Sequence, residues 1–362
     1  MADTAAEHEE KIAQISSALH GWLCNKLEGA DNVRIDNFKA PDIGYSSETL
    51  LFDLAYEKKG EHFNEPLVVR MEPSGIPLFS RYDLLLQYRI MDTLKTSDVP
   101  VPTMRWFEED TSLLGSPFYV MEQVAGKVPA DNPPYHMEGM LLEMPAPDCT
   151  ALWENAIAAM GKIHALNIDQ YDLAFLDEPE LGATPLLQHI QLYENHIEWG
   201  LDRERYPLLK TGLQWLMQNL PENEPVGLCW GDARVCNIIF QGTEVAAVLD
   251  WEMARLGNPL TDFGYWLVLD HCMSLGLGVE KMAPAPDEAA SLALWEKVSG
   301  HSGENLLFYK IFAAWRFTMI MARVITREKM QGNLPEEDNY DVDNLGSQAL
   351  QQLLEQAGVS GA

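Results

Sequence analysis

Apolar residues first recur at three- and four-residue spacing. Ile12, Ile15, Leu19, Trp22 and Leu23 fall on one stripe and predict a helix over residues 10–27. The period then changes. Residues 49–56 and 67–71 are dense in Leu, Val, Phe and Tyr and flank a polar Lys58-Lys59-Gly60 turn, which predicts two strands. A helical pattern returns over 81–96, with Leu84, Tyr88 and Met91 on one face, and residues 101–107 and 117–124 predict two more strands. Ala125-Gly126-Lys127-Val128-Pro129 punctuates the chain, and the Pro- and Met-rich stretch 129–147 reads as an irregular insertion. Beyond it Leu152, Ala156, Ala159, Ile163 and Leu166 form an apolar stripe, and helices are expected over 186–199 and 203–220. Short buried strands at 226–230, 237–240 and 245–249 interrupt the helices, the last two joined by Gln241-Gly242-Thr243-Glu244. The rest is mostly helical. The most apolar segment, 306–325, contains Lys310, Arg316 and Arg323 and so reads as a core helix rather than a membrane span. The expected architecture is α+β in two lobes, with a β-rich region at 1–124 and a helical region at 125–362.

The chemistry concentrates in the interrupting strands. Asp232 follows the first, Asn237 comes five residues later, and Asp250 ends the third. In isolation, Asp232 and Asn237 read far better as loop caps and Asp250 as a helix cap. The strand context favours a site. Asp232 is suited to accept the proton of an attacking hydroxyl. Asn237 and Asp250 are oxygen donors of the kind magnesium prefers, and magnesium commonly takes one or two carboxylates plus phosphate oxygens. A base and two metal ligands in this order suit phosphoryl transfer, which asks for positioning and charge neutralisation.

Ordered motifs extend this pattern over residues 37–266. They include Gly44-Tyr45-Ser46-Ser47-Glu48-Thr49-Leu50, Leu67-Val68-Val69-Arg70, Asp98-Val99-Pro100-Val101-Pro102, Pro117-Phe118-Tyr119-Val120-Met121-Glu122, the Trp230-Gly231-Asp232 loop and Asp250-Trp251-Glu252-Met253-Ala254 with Gly257-Asn258-Pro259-Leu260-Thr261-Asp262. In this the chain resembles the aminoglycoside phosphotransferase, or choline/aminoglycoside kinase-like, family, in the branch that includes kinase-like domains of some acyl-CoA dehydrogenases. The resemblance implies a protein-kinase-like fold with an antiparallel small lobe that grips ATP, and a helical lobe that carries the catalytic loop. It implies ATP and magnesium as cofactors and a hydroxylated small molecule as acceptor. Gly44, Ser46 and Ser47 would lie over the phosphates, Arg70 would contact them, and Met121, Glu122 and Gln123 would meet the adenine edge. Asp232 would be the base, and Arg234 either balances transferred charge or pairs with nearby acids. Asn237 and Asp250 would hold metal, and Asp262 would be scaffold. Two positions depart from the family pattern: Trp230 replaces His, and Arg70 with Gln87 replaces the usual Lys–Glu pair. These departures suit an alternative reading, a nucleotide-binding protein without transfer activity.

Composition narrows the partners. The 362 residues carry a formal net charge of −30, which disfavours nucleic acid and anionic membranes. Five cysteines without a Cys-x-x-Cys pair suit free thiols in a reducing cytoplasm, and the acidic start is unlike a signal peptide. His164, His189, His196 and His271 lack metal-ligand spacing and are expected in core or surface roles. Neither the acceptor nor the oligomeric state is legible.

Overall fold

The computed structural model describes residues 2–40, 48–73 and 75–359. Gly44, Ser46 and Ser47 lie outside the described residues. The chain divides into two compact units. One comprises Met1–Gly75, Tyr82–Asp92 and Pro102–Val124, the other Ile76–Arg81, Thr93–Val101 and Ala125–Ala362.

The smaller unit contains helix α1 (Ala2–Lys26), strands β1 (Ala30–Lys39), β2 (Glu48–Lys58) and β3 (Glu61–Met71), helix α2 (Leu84–Leu94), strand β4 (Met104–Glu108), the single turn α3 (Thr111–Leu114) and strand β5 (Phe118–Glu122). The strands form one antiparallel sheet in the order β1-β2-β3-β5-β4. Lys59 and Gly60 both take positive φ, which matches the twist of a tight β2–β3 hairpin. The alternation of the strands then sorts the sheet into two faces. Leu50, Phe52, Leu54, Leu67, Val69, Phe118 and Val120 pack with Ile15, Leu19, Trp22 and Leu23 of α1. Each such large apolar side chain contributes about 1.5–3 kcal/mol when fully buried. The opposite register positions, Leu51, Asp53, Val68, Arg70, Tyr119 and Met121, belong to the other face, where α2 meets Tyr119 through Tyr88 and Gln87.

Strand β1 was not expected, and the reason is local. Its register with β2 shifts between Asp31 and Arg34 and again between Asp36 and Lys39, with Asn32 and Asn37 at positive φ. These irregularities break the two-residue alternation of Val33, Ile35 and Phe38. Helix α2 is shorter than its apolar pattern suggests, because the Asp83 carboxylate caps it by accepting from the Leu86 N–H at 2.8 Å.

The larger unit contains the turn α4 (Met140–Glu143), helices α5 (Ala146–His164), α6 (Pro185–Gly200) and α7 (Pro207–Gln218), strands β6 (Gly227–Cys229), β7 (Ile238–Gln241), β8 (Glu244–Val248) and β9 (Arg255–Gly257), and helices α8 (Leu260–Cys272), α9 (Glu288–Ser299), α10 (Leu306–Met330) and α11 (Leu345–Gln356). The helix expected over 203–220 starts anew at Pro207, which occupies its first turn after a short 3-10 segment at Arg203–Arg205. Helices α8 and α10 approach closely: a Cβ on Gly264 would stand 2.8 Å from the Tyr309 backbone. Strand β6 pairs with β9, and β7 with β8, both antiparallel. Together they present the loop 230–237 and the strand end at 249–250. Among the described residues no helix is long and apolar enough to cross a membrane.

Candidate active site

The β7–β8 hairpin sets the geometry. Ile238 pairs with Val248, so the residues just outside the pair, Asn237 and Leu249, are neighbours, and the Leu249 N–H donates to the Asn237 carbonyl at 2.8 Å. Asp250 follows directly, in a left-handed conformation with φ 61° and ψ 62°. Such a backbone is uncommon for a non-glycine residue and turns the chain sharply at the strand end. Trp230 closes the arrangement from the other side, its indole N–H donating to the Leu249 carbonyl at 2.7 Å. The departure from the family's His thus supplies a bond between the loop and the strand that carries Asp250.

Asp232 and Asn237 are in direct contact. The Asn237 amide N–H2 donates to the Asp232 carboxylate at 2.7 Å and to its carbonyl at 3.0 Å, which leaves the amide oxygen of Asn237 facing elsewhere. Asp232 is 8% exposed. Burial pushes its carboxyl above the ordinary range, Arg234 pulls it down, and Asp250 pushes it up. Asp250 therefore lies close enough to Asp232 for the two carboxylates to interact. Arg234 donates through Nε to Asp232 at 3.0 Å and through Nη1 to Asp131 at 2.6 Å. Two carboxylates, Asp232 and Asp131, thus face its charge. Asp131 was not anticipated, because it lies in the insertion, 103 residues away in sequence.

A buried polar array lies behind the loop. Asp262, fully buried, accepts from the backbone N–H groups of Trp230 (2.5 Å) and Gly231 (2.8 Å) and from His164 Nε2 (2.9 Å). Trp295 donates its indole N–H to His164 Nδ1 at 2.8 Å. Arg316, also fully buried, donates to the Gly231 carbonyl at 2.8 Å and lies between the rings of Tyr193 and Tyr265, 4.9 Å from each. Gly231 itself has φ +97°, and a Cβ there would stand 2.1 Å from the Met253 carbonyl oxygen. The scaffold role expected of Asp262 has this geometry behind it. Arg316 is one of three cations in the apolar run 306–325, and a charge in such a run was the available signal for its part. Burial raises the Cys229 and Cys236 thiols well above their ordinary value, so neither suits a nucleophile's role.

In the smaller unit, Arg70 is half-buried on β3, opposite Thr49 and Tyr119. Gln87 is buried, and its side-chain oxygen accepts from the Tyr119 hydroxyl at 3.1 Å. At the end of β5 the N–H of Glu122 donates to Thr103 O and that of Gln123 to Pro66 O, both at 2.9 Å. These two donors are therefore used within the sheet, and what this strand end can present to a ligand is narrower than the backbone groups expected of Met121, Glu122 and Gln123. The Glu122 carboxylate pairs with Arg105 at 3.1 Å. A cleft of about 430 Å³ is lined by Asn37, Phe38, Lys39, Leu51, Phe52, Asp53 and Gln123.

Among the described residues no three or more His, Cys, Asp or Glu side chains form a metal-holding group. The set present is one amide oxygen and one nearby carboxylate, Asn237 and Asp250. It fits a hard cation that completes its shell with phosphate oxygens and water better than zinc, which favours nitrogen and sulfur.

A sequence model of the phosphotransferase enzyme family matches residues 50–298. The chain is 30% identical over 226 residues to acyl-CoA dehydrogenase family member 10 of Mus musculus, covering 62% of this chain and 19% of that protein. It is 26% identical over 289 residues to acyl-CoA dehydrogenase family member 11 of Pongo abelii, covering 77% of this chain and 36% of that protein. The chain thus spans well under half the length of these relatives. A solved structure from Ralstonia eutropha, assigned as an aminoglycoside phosphotransferase, superposes with a TM-score of 0.67 at 25% identity over 93% of this chain and 95% of that one. A thermostable mutant of aminoglycoside phosphotransferase APH(4)-Ia, in ternary complex with ADP and hygromycin B, superposes with a TM-score of 0.58 over 95% of this chain and 100% of that one. At 14% identity the latter is a likeness of fold alone.

Proposed function

Because the chain belongs to the phosphotransferase enzyme family, we propose that it moves the terminal phosphoryl group of ATP to a hydroxyl group of a small molecule. The observation that carries the reading is the meeting of Asp232 and Asn237 at 2.7 Å beside the strand end that bears Asp250. Asp232 accepts the proton of the acceptor hydroxyl as that oxygen attacks. Burial raises its carboxyl, which makes it a better proton acceptor once ionised, and Arg234 keeps the ionised form accessible. Asn237 has a double part: its N–H2 orients the Asp232 carboxylate, and its amide oxygen is left to serve as a ligand. Asp250 supplies the anionic ligand. Magnesium, when bound, neutralises charge on the transferring phosphates. Arg70 in the smaller unit holds phosphate oxygens with its planar fork. The β5 end at Met121, Glu122 and Gln123 meets the adenine edge through groups other than the Glu122 and Gln123 N–H, which are used within the sheet. The acidic chain is unsuited to nucleic acid and suits a small-molecule acceptor, and its five free cysteines suit a reducing, cytoplasmic setting.

The test is ATP consumption over a library of hydroxylated metabolites, with Asp232→Asn as the blank. Turnover with at least one acceptor, lost in the variant, supports transfer. Nucleotide binding by calorimetry without consumption of any acceptor in a broad library favours the alternative, a binding protein without transfer.

A further inference from the structure

We propose that Trp295 and His164 are positioning residues for phosphoryl transfer. The indole and the Asp262 carboxylate hold the imidazole between them in one tautomer and one orientation, and the imidazole in turn holds the Asp262 carboxylate that fixes the Trp230–Gly231 backbone beside Asp232. The kinetic part rests on the transfer reading above.

An indole N–H is only ever a donor. Its 2.8 Å contact with His164 Nδ1 therefore requires that nitrogen to carry a lone pair. The proton lies on Nε2, which faces Asp262 Oδ2 at 2.9 Å. The same Oδ2 accepts from Trp230 N at 2.5 Å, and Oδ1 accepts from Gly231 N at 2.8 Å. A buried carboxylate with three donors has little freedom to turn, and the next residue after Gly231 is Asp232. Without the indole donor, Asp262 still favours the proton on Nε2, but Nδ1 is left buried without that partner and the ring is freer to turn. Nε2–H would then point less squarely at Oδ2, and the carboxylate would lose one of its three donors or rotate. His164, Asp262 and Trp295 have no exposed surface to recruit water in compensation beyond His164's 1%. The relay is local in space but wide in sequence, 131 residues from Trp295 to His164 and 98 from His164 to Asp262.

The test uses the full chain with 15N-labelled histidine. Long-range 15N–1H spectra should show His164 protonated at Nε2, assigned by the loss of its signals in His164→Gln. Trp295→Phe retains a ring to stack on Phe263, which lies 5.0 Å away. It should move the His164 ring resonances while leaving the proton on Nε2, and speed amide exchange at Trp230 and Gly231 by about tenfold or more. It should lower kcat by roughly 10- to 100-fold with KM for ATP nearly unchanged. His164→Gln places an amide donor toward Asp262 and has no tautomer. It should keep most of the turnover and the amide protection, and adding Trp295→Phe to it should cost little more. His164→Met, which has no donor, should lose both. Unchanged ring resonances and amide exchange in Trp295→Phe would overturn the proposal. So would equal losses in the Gln and Met variants, which would mark a packing role only. Should Trp295→Phe not fold, the Gln and Met pair decides. If the wild type transfers nothing to any acceptor, the transfer reading fails, while the spectra and amide exchange still decide the positioning.

Discussion

Replacing Gly231 by Ala sets two costs against each other. With the loop held in place, the new Cβ meets Met253 O at 2.1 Å, Met253 C at 2.3 Å and Met253 Cβ at 2.7 Å. Real Cβ contacts stay beyond 3.0 Å, so backbone must move by close to an ångström. The φ of +97° adds left-handed strain, about 1–2 kcal/mol for a residue with a side chain. Overpacking of a rigid neighbour adds about 1–3 kcal/mol. The alternative is for the loop to withdraw, which breaks the bonds from Trp230 N and Gly231 N to Asp262 and from Arg316 to Gly231 O. Bonds to charged groups contribute about 1.5–3 kcal/mol each, and breaking them leaves Asp262 and Arg316 buried without these partners. Both routes cost roughly 3 kcal/mol or more. Either also shifts Asp232, and a displacement of about 1 Å at a reacting group costs about 100-fold in rate. Gly231→Ala should therefore fold with a clearly lowered urea midpoint and lose at least about 100-fold in kcat. Urea denaturation followed by fluorescence, together with ATP turnover, reads both. A variant with the wild-type midpoint and turnover would show that the Met253 contact yields without cost, and the reasoning about a rigid loop would be wrong.

Asp250→Ala should abolish magnesium-dependent ATP binding in calorimetry more than Asp232→Ala does; equal losses would contradict the division into metal ligand and base. Arg70→Met should weaken ATP binding by about tenfold through loss of a charge-assisted contact. Gln87→Ala should mainly lower stability, because Gln87 is engaged by the Tyr119 hydroxyl; an equal effect on ATP affinity would reveal a coupled pair. Asp341 accepts from Arg205, Lys329 and Tyr206, and these partners hold its carboxyl below the ordinary range despite burial. A depressed folded-state pKa stabilises the protein above the unfolded value, near 4, and the contribution is lost as pH falls from there. Asp341→Asn should cost about 3 kcal/mol at pH 7, and the gap to wild type in urea melts should narrow progressively below about pH 4 and close only well below about pH 3, because the folded-state carboxyl stays ionised there. A gap of the same size at about pH 7 and about pH 2 would assign the effect to packing.

What the amino-acid pattern reveals and conceals follows from distance along the chain. The β7–β8 hairpin is legible because its determinants are adjacent: two short apolar runs around Gly242, which takes the positive φ that a tight turn needs. Once the hairpin is assumed, Asn237 and Asp250 must be neighbours, and Asp232 is five residues from one of them. Strand β1 is concealed by its two register shifts, which scramble the alternation that would announce it. The supports of the loop are concealed for another reason. Asp131 reaches Arg234 from an irregular insertion, and Arg316 reaches Gly231 across 85 residues. No local periodicity encodes such pairings. What remains visible is an anomaly: a buried cation inside an apolar run of a long helix, a histidine closing an apolar stripe, a tryptophan in place of a family histidine. A buried polar group must find a partner or destabilise the fold by several kcal/mol. Each anomaly therefore marks a partner that the one-dimensional pattern cannot name. Here Arg316, His164 and Trp230 all converge on the few peptides around Gly231 and Leu249, where small displacements would be felt most at the candidate site.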